Sequence, residues 1–259
     1  MSFDTLGLSA ELLRAVGEQG YTIPTPIQAK AIPVILDGRD VMASAQTGTG
    51  KTAGFTLPLL QRLNGTPHNG GRRAPRALVL APTRELAAQV GDSVATYGGH
   101  LPLKSTIVFG GVGFAPQAKA LRRGVDILIA TPGRLLDHVS QKTVDLSQIE
   151  ILVLDEADRM LDMGFINDID AILRKTPMSR QTMLFSATFP DAIKNLVDRY
   201  MMHPEMVRMH TGTKVKASVE HLFYPVAQDQ KVQLMIEVLR REKPGKALIF
   251  SSTREGTSE

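Results

Sequence analysis

Two short stretches of this 259-residue sequence carry side chains whose types and spacing suit a phosphate chain and a divalent cation. The first is Ala45-Gln46-Thr47-Gly48-Thr49-Gly50-Lys51-Thr52, which follows an apolar run and opens a stretch of helical pattern. Its glycines let backbone N–H groups converge on phosphate oxygens, and the N-terminus of the following helix adds a favourable dipole. In that setting Lys51 reaches the β- and γ-phosphates of a nucleotide, and the Thr52 hydroxyl is a ligand for Mg²⁺. Ala45 stands where the general pattern has its first glycine. The second stretch is Ile151-Leu152-Val153-Leu154 running into Asp155-Glu156-Ala157-Asp158. A carboxylate at the C-terminal end of a buried parallel strand lies where open α/β sheets bind their ligands. Asp155 is placed to hold the Mg²⁺ shell, and Glu156 to orient or deprotonate an attacking water. Read separately, the loop could be a glycine-rich turn and the acids a solvated helix start. Together they are two halves of one site.

Such a site needs strands whose ends meet. Continuous apolar runs at Val41–Ala45, Ala77–Ala81, Thr106–Phe109, Ile127–Ala130, Ile151–Leu154 and Met183–Phe185 predict strands covered on both faces. Helical patterns lie between them; Ile193, Leu196, Val197 and Tyr200, for example, recur at i, i+3, i+4, i+7 after Pro190. This alternation predicts an α/β domain, a parallel sheet with helices on both faces. Asn64–Arg76, rich in glycine, proline and arginine, reads as a mobile surface loop. Met160, Leu161 and Met163 read as core. A boundary follows Pro204, and polar Thr211–Ser218 reads as a linker. Beyond it His221–Val226 and Ala247–Phe250 read as strands, flanking a helix with Val232, Met235, Ile236 and Leu239 on one face. One β-α-β unit of about forty residues cannot bury enough surface to stand alone, so the chain reads as cut inside a second domain.

Composition narrows the class. With 43% hydrophobic and 22% charged residues the chain can bury a core. It has no cysteine, which excludes disulfides and thiolate zinc sites, and no apolar run long enough to span a bilayer. The start Met1-Ser2-Phe3-Asp4 is not a signal peptide, so a cytoplasmic protein without membrane contact is expected. A net charge of +4 permits a polyanion partner. Aromatic residues are only 5%, with no Trp, so nucleic acid would be held by its backbone rather than by stacked bases. The six histidines, His68, His100, His138, His203, His210 and His221, show no metal-ligand spacing and read as surface or packing residues.

Asp155-Glu156-Ala157-Asp158 with the loop at 45–52 resembles the DEAD-box ATP-dependent RNA helicases, and other stretches agree in order along nearly the whole chain. Gly20-Tyr21-Thr22-Ile23-Pro24-Thr25-Pro26-Ile27-Gln28 is similar to the Q motif, with Phe3 upstream where that family carries an aromatic. Pro82-Thr83-Arg84-Glu85-Leu86-Ala87 resembles motif Ia, Gly110-Gly111 the GG element and Thr131-Pro132-Gly133-Arg134 motif Ib. Ser186-Ala187-Thr188 resembles motif III, and Leu248-Ile249-Phe250 with Thr253 resembles motif IV. The opening Ser2 to Leu8 is similar to the bacterial RhlE-like branch.

The resemblance implies a RecA-like ATP-binding domain over residues 1–210, its Q motif within 1–29, a linker at 211–218, and the start of a second RecA-like domain over 219–259. It implies ATP and Mg²⁺ as cofactors and RNA as partner, with proteins of RNP, RNA-decay or ribosome-assembly complexes as further candidates. Gln28 would pair with adenine N6 and N7 and Tyr21 would stack on the base, against the alternatives that Gln28 caps its helix and Tyr21 packs. Phe3 is expected to pack behind the site. Pro82, Thr83, Arg84, Gly110, Gly111, Thr131, Pro132, Gly133 and Arg134 would contact RNA sugar–phosphate without sequence preference; for Arg134 an internal salt bridge competes. Ser186 and Thr188 would couple nucleotide state to RNA through hydrogen bonds to Asp155 or Asp158, or cap the helix after Pro190. No His-Arg-x-Gly-Arg-x-x-Arg segment follows Arg254, so the arginine that the second domain supplies is missing, and these residues are expected to bind ATP but turn it over poorly. Two other functions remain open at this point: a DNA-directed helicase, and an ATP-gated RNA clamp or scaffold without turnover.

Overall fold

The computed structural model describes residues 2–44, 48–66, 74–208 and 222–251. They fall into two compact units, one up to His210 and one from Thr211. In the first unit the elements run α1 (Ala10–Glu18), α2 (Pro26–Leu36), β1 (Val41–Ser44), α3 (Lys51–Gly65), β2 (Ala77–Leu80), α4 (Arg84–Tyr97), β3 (Ser105–Val108) and α5 (Phe114–Arg122). They continue with β4 (Ile127–Ala130), α6 (Pro132–Ser140), β5 (Ile151–Asp155), α7 (Ala157–Asp162), α8 (Ile166–Leu173), β6 (Gln181–Ser186), α9 (Asp191–Tyr200) and β7 (Glu205–Arg208). A short 3-10 turn over Phe3–Leu6 precedes them.

The described strands form one sheet in the order β3-β4-β2-β5-β6-β1-β7, and every pairing is parallel. Apolar runs become doubly covered strands because successive side chains leave opposite faces. In β5, Ile151 and Val153 join a core with Val41, Phe55, Val79 and Phe185 under α2 to α4. Leu152 and Leu154 join the other core, with Leu135, Met160, Ile169 and Ile193 from α6 to α9. All six strands expected in this region are present; Ile127–Ala130 has the expected bounds, and no described end of the others differs by more than two residues.

Four expectations need correcting. A seventh strand, β7, pairs with β1 through Val41↔Glu205 to Ser44↔Arg208. Its four residues offer too little apolar pattern to be read, and its position depends on Asp40. That buried carboxylate accepts the Thr182 N–H through Oδ1 and the Met202 N–H through Oδ2, both at 2.7 Å, while the Asp40 carbonyl accepts the Glu205 N–H at 2.8 Å. Secondly, Arg76 is not a mobile loop residue. It is buried, donates to Thr66 O at 2.7 Å and Leu63 O at 3.0 Å, and lies 3.7 Å from Asp126; residues 67–73 are outside the described set. Thirdly, Met160 is core, but Met163 is exposed.

The fourth correction concerns the second unit. Its helix α10 (Lys231–Glu242) forms as expected, but no strand is found among residues 222–251. A helix closes its hydrogen bonds within itself, whereas a parallel strand needs a neighbour to bond to. Without one, Phe223 and Phe250 stand 90% and 87% exposed. His221 and residues 211–218 lie outside the described residues.

Removing the carboxylate that seats β6 and β7 leaves one buried and one part-buried amide without acceptors, so Asp40→Ala should lower stability by about 1–3 kcal/mol. Urea unfolding followed by circular dichroism measures this.

Candidate nucleotide site and nucleic-acid face

Because all strands run the same way, the loops that follow them share one edge of the sheet. The 45–52 loop follows β1, Asp155 ends β5 and Ser186 ends β6, and these strands are adjacent in the order β5-β6-β1. Lys51 begins α3 and is buried; its Nζ stands 3.0 Å from Asp155 Oδ1 and 3.0 Å from Glu156 Oε1. One ammonium between two carboxylates joins the two stretches first read as halves of a site. Gly48 and Gly50 take φ of +83° and +87°, a region that side chains disfavour. Gly50 is needed sterically as well, since a Cβ there would lie 2.7 Å from Gln28 Nε2 and 2.9 Å from Thr25 Oγ1. Ala45, Gln46 and Thr47 lie outside the described residues.

Glu156 itself adopts φ +54°, ψ +54°, a left-handed conformation that costs a non-glycine residue about 1–2 kcal/mol. It ends β5 and starts α7 in a single residue. Its second oxygen lies 3.3 Å from Arg159 Nη1, a partner one helical turn on that motif reading did not single out.

Asp155 is fully buried, and neither carboxylate oxygen has an aligned hydrogen bond among the described residues, although Lys51 is at ion-pair distance. Burial pushes its carboxyl above the ordinary range, against the pull of Lys51. A buried carboxylate met by Lys51 at ion-pair distance, but by no aligned donor among the described residues, suits a hydrated Mg²⁺, with the half-buried Thr52 hydroxyl at the start of α3 as the other protein oxygen. The residues present therefore fit that ion.

Gln28 caps its helix, one of the two readings made for it, and keeps polar atoms toward a cleft. Its Oε1 accepts the Thr25 N–H at 2.9 Å, capping α2, and its Nε2 donates to Gly50 O at 3.0 Å. One lone pair and one N–H remain for a ligand. It lines a cleft of about 360 Å³ with Tyr21, Gly50 and Thr52. Tyr21 is exposed at the cleft, and Phe3 is buried behind it. Ile23, within the Q-motif stretch, also lines the cleft, as do Ser93 and Tyr97, which carry no motif signal and which α4 brings there from more than forty residues beyond the loop.

The remaining motif residues gather after β2, β3 and β4, which are adjacent in the order β3-β4-β2. Thr83 caps α4 by accepting the Leu86 N–H at 3.2 Å. Arg84 lies against Gly111, where φ is +79° and a Cβ would fall 2.8 Å from its Nη1. Arg134 donates to Val112 O at 3.1 Å and its Nε lies 3.5 Å from Asp137, so the internal salt bridge is present. Pro82, Thr131 and Pro132 are buried, which leaves Thr83, Arg84, Gly110, Gly111, Gly133 and Arg134 as the accessible part of this face.

Residues 25–196 match the family model of the DEAD/DEAH box helicases. The chain belongs to that family. It is 44% identical over 259 residues to the ATP-dependent RNA helicase DeaD of Escherichia coli K12, covering 40% of that protein. It is 40% identical over 258 residues to the DEAD-box ATP-dependent RNA helicase CshA of Bacillus cereus, covering 48% of it. The chain thus spans less than half the length of these curated relatives. Among solved structures, a DEAD box protein from the hyperthermophile Methanococcus jannaschii matches with a TM-score of 0.75 and 38% identity, over 93% of this chain and 63% of that one. The fold is the RecA-like α/β fold expected from the motifs.

In this DEAD-box chain the motif III residues engage Asp158, not Asp155. Asp158 Oδ2 accepts the Thr188 N–H at 2.9 Å and hydroxyl at 3.1 Å. The Ser186 hydroxyl donates to Thr188 O at 2.6 Å and accepts the Asp158 N–H at 3.2 Å. Neither residue caps α9, whose N-cap is Pro190. Burial works to raise Asp158, but the Thr188 amide and hydroxyl and the Ser186 hydroxyl outweigh it and hold its carboxyl below the ordinary range.

The opposite shift at Asp155 has a consequence for stability. A carboxyl whose folded pKa is raised costs the fold stability as pH rises through that value. Asp155→Asn should therefore raise stability at pH 8 by about 1 kcal/mol, since Lys51 keeps Glu156 as partner. The gain should vanish below the unfolded carboxyl's value of 3.8, which urea titrations across pH can follow.

Proposed function

We propose that this chain is the nucleotide-binding part of an ATP-dependent RNA helicase that binds ATP with Mg²⁺ and hydrolyses it to unwind or remodel RNA and RNPs. The observation that carries the reading is Lys51 held between Asp155 and Glu156 at the start of α3, beside the left-handed glycines of the loop. Asp155 and Thr52 would hold the Mg²⁺, which supplies charge neutralisation for the phosphates. Lys51 would exchange a carboxylate for phosphate oxygens, leaving the Glu156 carboxylate to orient or deprotonate the attacking water. The open cleft at Tyr21 and Gln28 would take the adenine, reading its edge with the amide lone pair and N–H that Gly50 and Thr25 leave over.

RNA would lie across the loops after β2, β3 and β4, held through its phosphates by Arg84, Arg134 and the exposed backbone around Gly110, Gly111 and Gly133. The low aromatic content, 5% with no Trp, supports grip without sequence preference. The names of the curated relatives support RNA over DNA, and the intact Lys51 and Glu156 support turnover over a static clamp. The opening residues Ser2 to Leu8 are what supports the RhlE-like branch, a finer placement than the family model gives. A cytoplasmic setting is part of this reading; among the described residues no helix is long and apolar enough to cross a membrane.

Nucleotide titration and RNA-stimulated hydrolysis test the proposal. Lys51→Ala should weaken ATP binding by about 10²-fold, while Glu156→Gln should retain ATP and lose hydrolysis by about 10²–10³-fold. An unchanged ATP affinity in Lys51→Ala would overturn the phosphate assignment. Equal stimulation by DNA would favour the DNA-directed reading. If a second RecA-like domain supplies an arginine to the transferring phosphate, these 259 residues alone should hydrolyse ATP about 10³–10⁵-fold more slowly than with that domain present.

A further inference from the structure

A buried histidine outside the nucleotide site is wired to the loop that carries Gly110 and Gly111. His138 lies on α6, one turn after Arg134, and is fully buried. Its ring stacks on Phe114 of α5, with centroids 4.2 Å apart and planes 18° apart. Its Nε2 lies 3.4 Å from Gln117 Oε1. Gln117, also buried, embraces the backbone of Phe109 with both ends of its amide: Oε1 accepts the Phe109 N–H at 3.2 Å and Nε2 donates to Phe109 O at 3.0 Å. That double contact sets which end of the amide faces the ring, so the ring must present an N–H at Nε2.

The other ring nitrogen meets an adaptable partner. Nδ1 lies 2.8 Å from Thr143 Oγ1, and the same hydroxyl is 2.9 Å from His138 O. With a neutral ring the hydroxyl donates to Nδ1. With a charged ring it turns to His138 O and accepts from Nδ1–H. The hydrogen bonds thus accommodate either state, and the environment chooses between them. Burial favours the neutral ring, lowering the pKa below its ordinary value; Arg134 adds to this and Asp137 opposes it. α5 faces the ring with Phe114 and Gln117 and the turn after α6 faces it with Thr143, none of them charged.

Helix α6 therefore holds the 109–112 loop at both ends: Phe109 through His138 and Gln117, and Val112 through Arg134 at 3.1 Å. We infer that His138 is a positioning residue that fixes this loop for RNA phosphates by acting through Gln117. The inference rests on the proposed RNA role of Gly110 and Gly111. Either ring state keeps the Nε2–H for Gln117, so pH acts through burial: because the folded pKa is lowered, the closed arrangement is fully stable above the ordinary histidine value and loses ground to states that hydrate the ring as pH falls below it.

Three variants of the full 259-residue chain test this by Phe109 amide-exchange protection, by affinity for a single-stranded RNA oligonucleotide, and by ATP affinity. His138→Phe keeps the stacked ring but loses the Nε2–H; it should lower Phe109 protection and weaken RNA binding about five- to tenfold, with ATP affinity unchanged. His138→Gln can still donate to Gln117 but cannot titrate. It should match the parent at pH 7.5 and lack the parent's additional loss of RNA affinity and Phe109 protection between pH 7 and 5.5. Gln117→Leu should reproduce the His138→Phe phenotype at both pH values, and serves if His138→Phe does not fold. Phe109 protection unchanged in His138→Phe or Gln117→Leu, or identical pH profiles for His138→Gln and the parent, would overturn the inference. If the parent itself fails to bind RNA, the proposed function falls, while Phe109 exchange still decides whether His138 positions the loop.

Discussion

Every described strand in the larger unit points the same way, and that constraint organises the rest of the molecule. Parallel strands cannot be joined by tight hairpins, so each must return through a covering helix. Two consequences follow. Both faces of the sheet are buried, and all the loops that follow strands collect on one edge, where helices begin. The strand order then divides that edge. Loops after β5, β6 and β1 bring together Asp155, Glu156, Ser186 and Lys51, while loops after β3, β4 and β2 bring together Gly111, Arg134 and Arg84. These two groups lie side by side because β1 is seated beside β6, although along the chain the loops after β2, β3 and β4 fall between the loop after β1 and those after β5 and β6.

The contacts across this edge carry opposite electrostatic characters. Around Lys51 one buried cation faces two carboxylates, and Asp155 has no aligned protein donor of its own. Such a cluster is poorly satisfied by protein alone and is disposed to accept a cation or to release its lysine to an anion. Around Asp158 the carboxylate is well served by Thr188 and Ser186, and its pKa is lowered. Two acids three residues apart are therefore shifted in opposite directions by their surroundings, the first suited to ligand chemistry and the second to joining the end of β5 to the end of β6.

Much of this organisation was legible in residue order. Short apolar runs bounded by turn residues marked six strands, since burial on both faces demands continuous apolar sequence, and α9 and α10 showed their helical period. The Gly-Lys-Thr loop and the acidic strand end were recognisable because their chemistry needs particular residue types at fixed local spacing. Where interpretation failed, the cause was an interaction with a distant partner. Arg76 looked like a loop arginine but answers Leu63, Thr66 and Asp126. β7 looked like irregular chain but is seated on β1 through Asp40. The runs at 221–226 and 247–250 looked like strands but have no strand to bond among the described residues.

The sequence by itself determined what depends on near neighbours: helical periods, doubly buried strands, a phosphate loop, an acidic strand end, and through their combination the family. Tertiary structure alone decided which of these meet. It set Lys51 against Glu156 across 105 positions, Gln28 against Gly50 across 22, and Asp40 against Thr182 across 142. It also set His138, read from sequence as a surface or packing residue, between α6 and the 109–112 loop. The physical reason is that periodicity records only which face of an element is buried. The partner met there is chosen by the order of strands in the sheet and the closure of long loops, which no local pattern encodes.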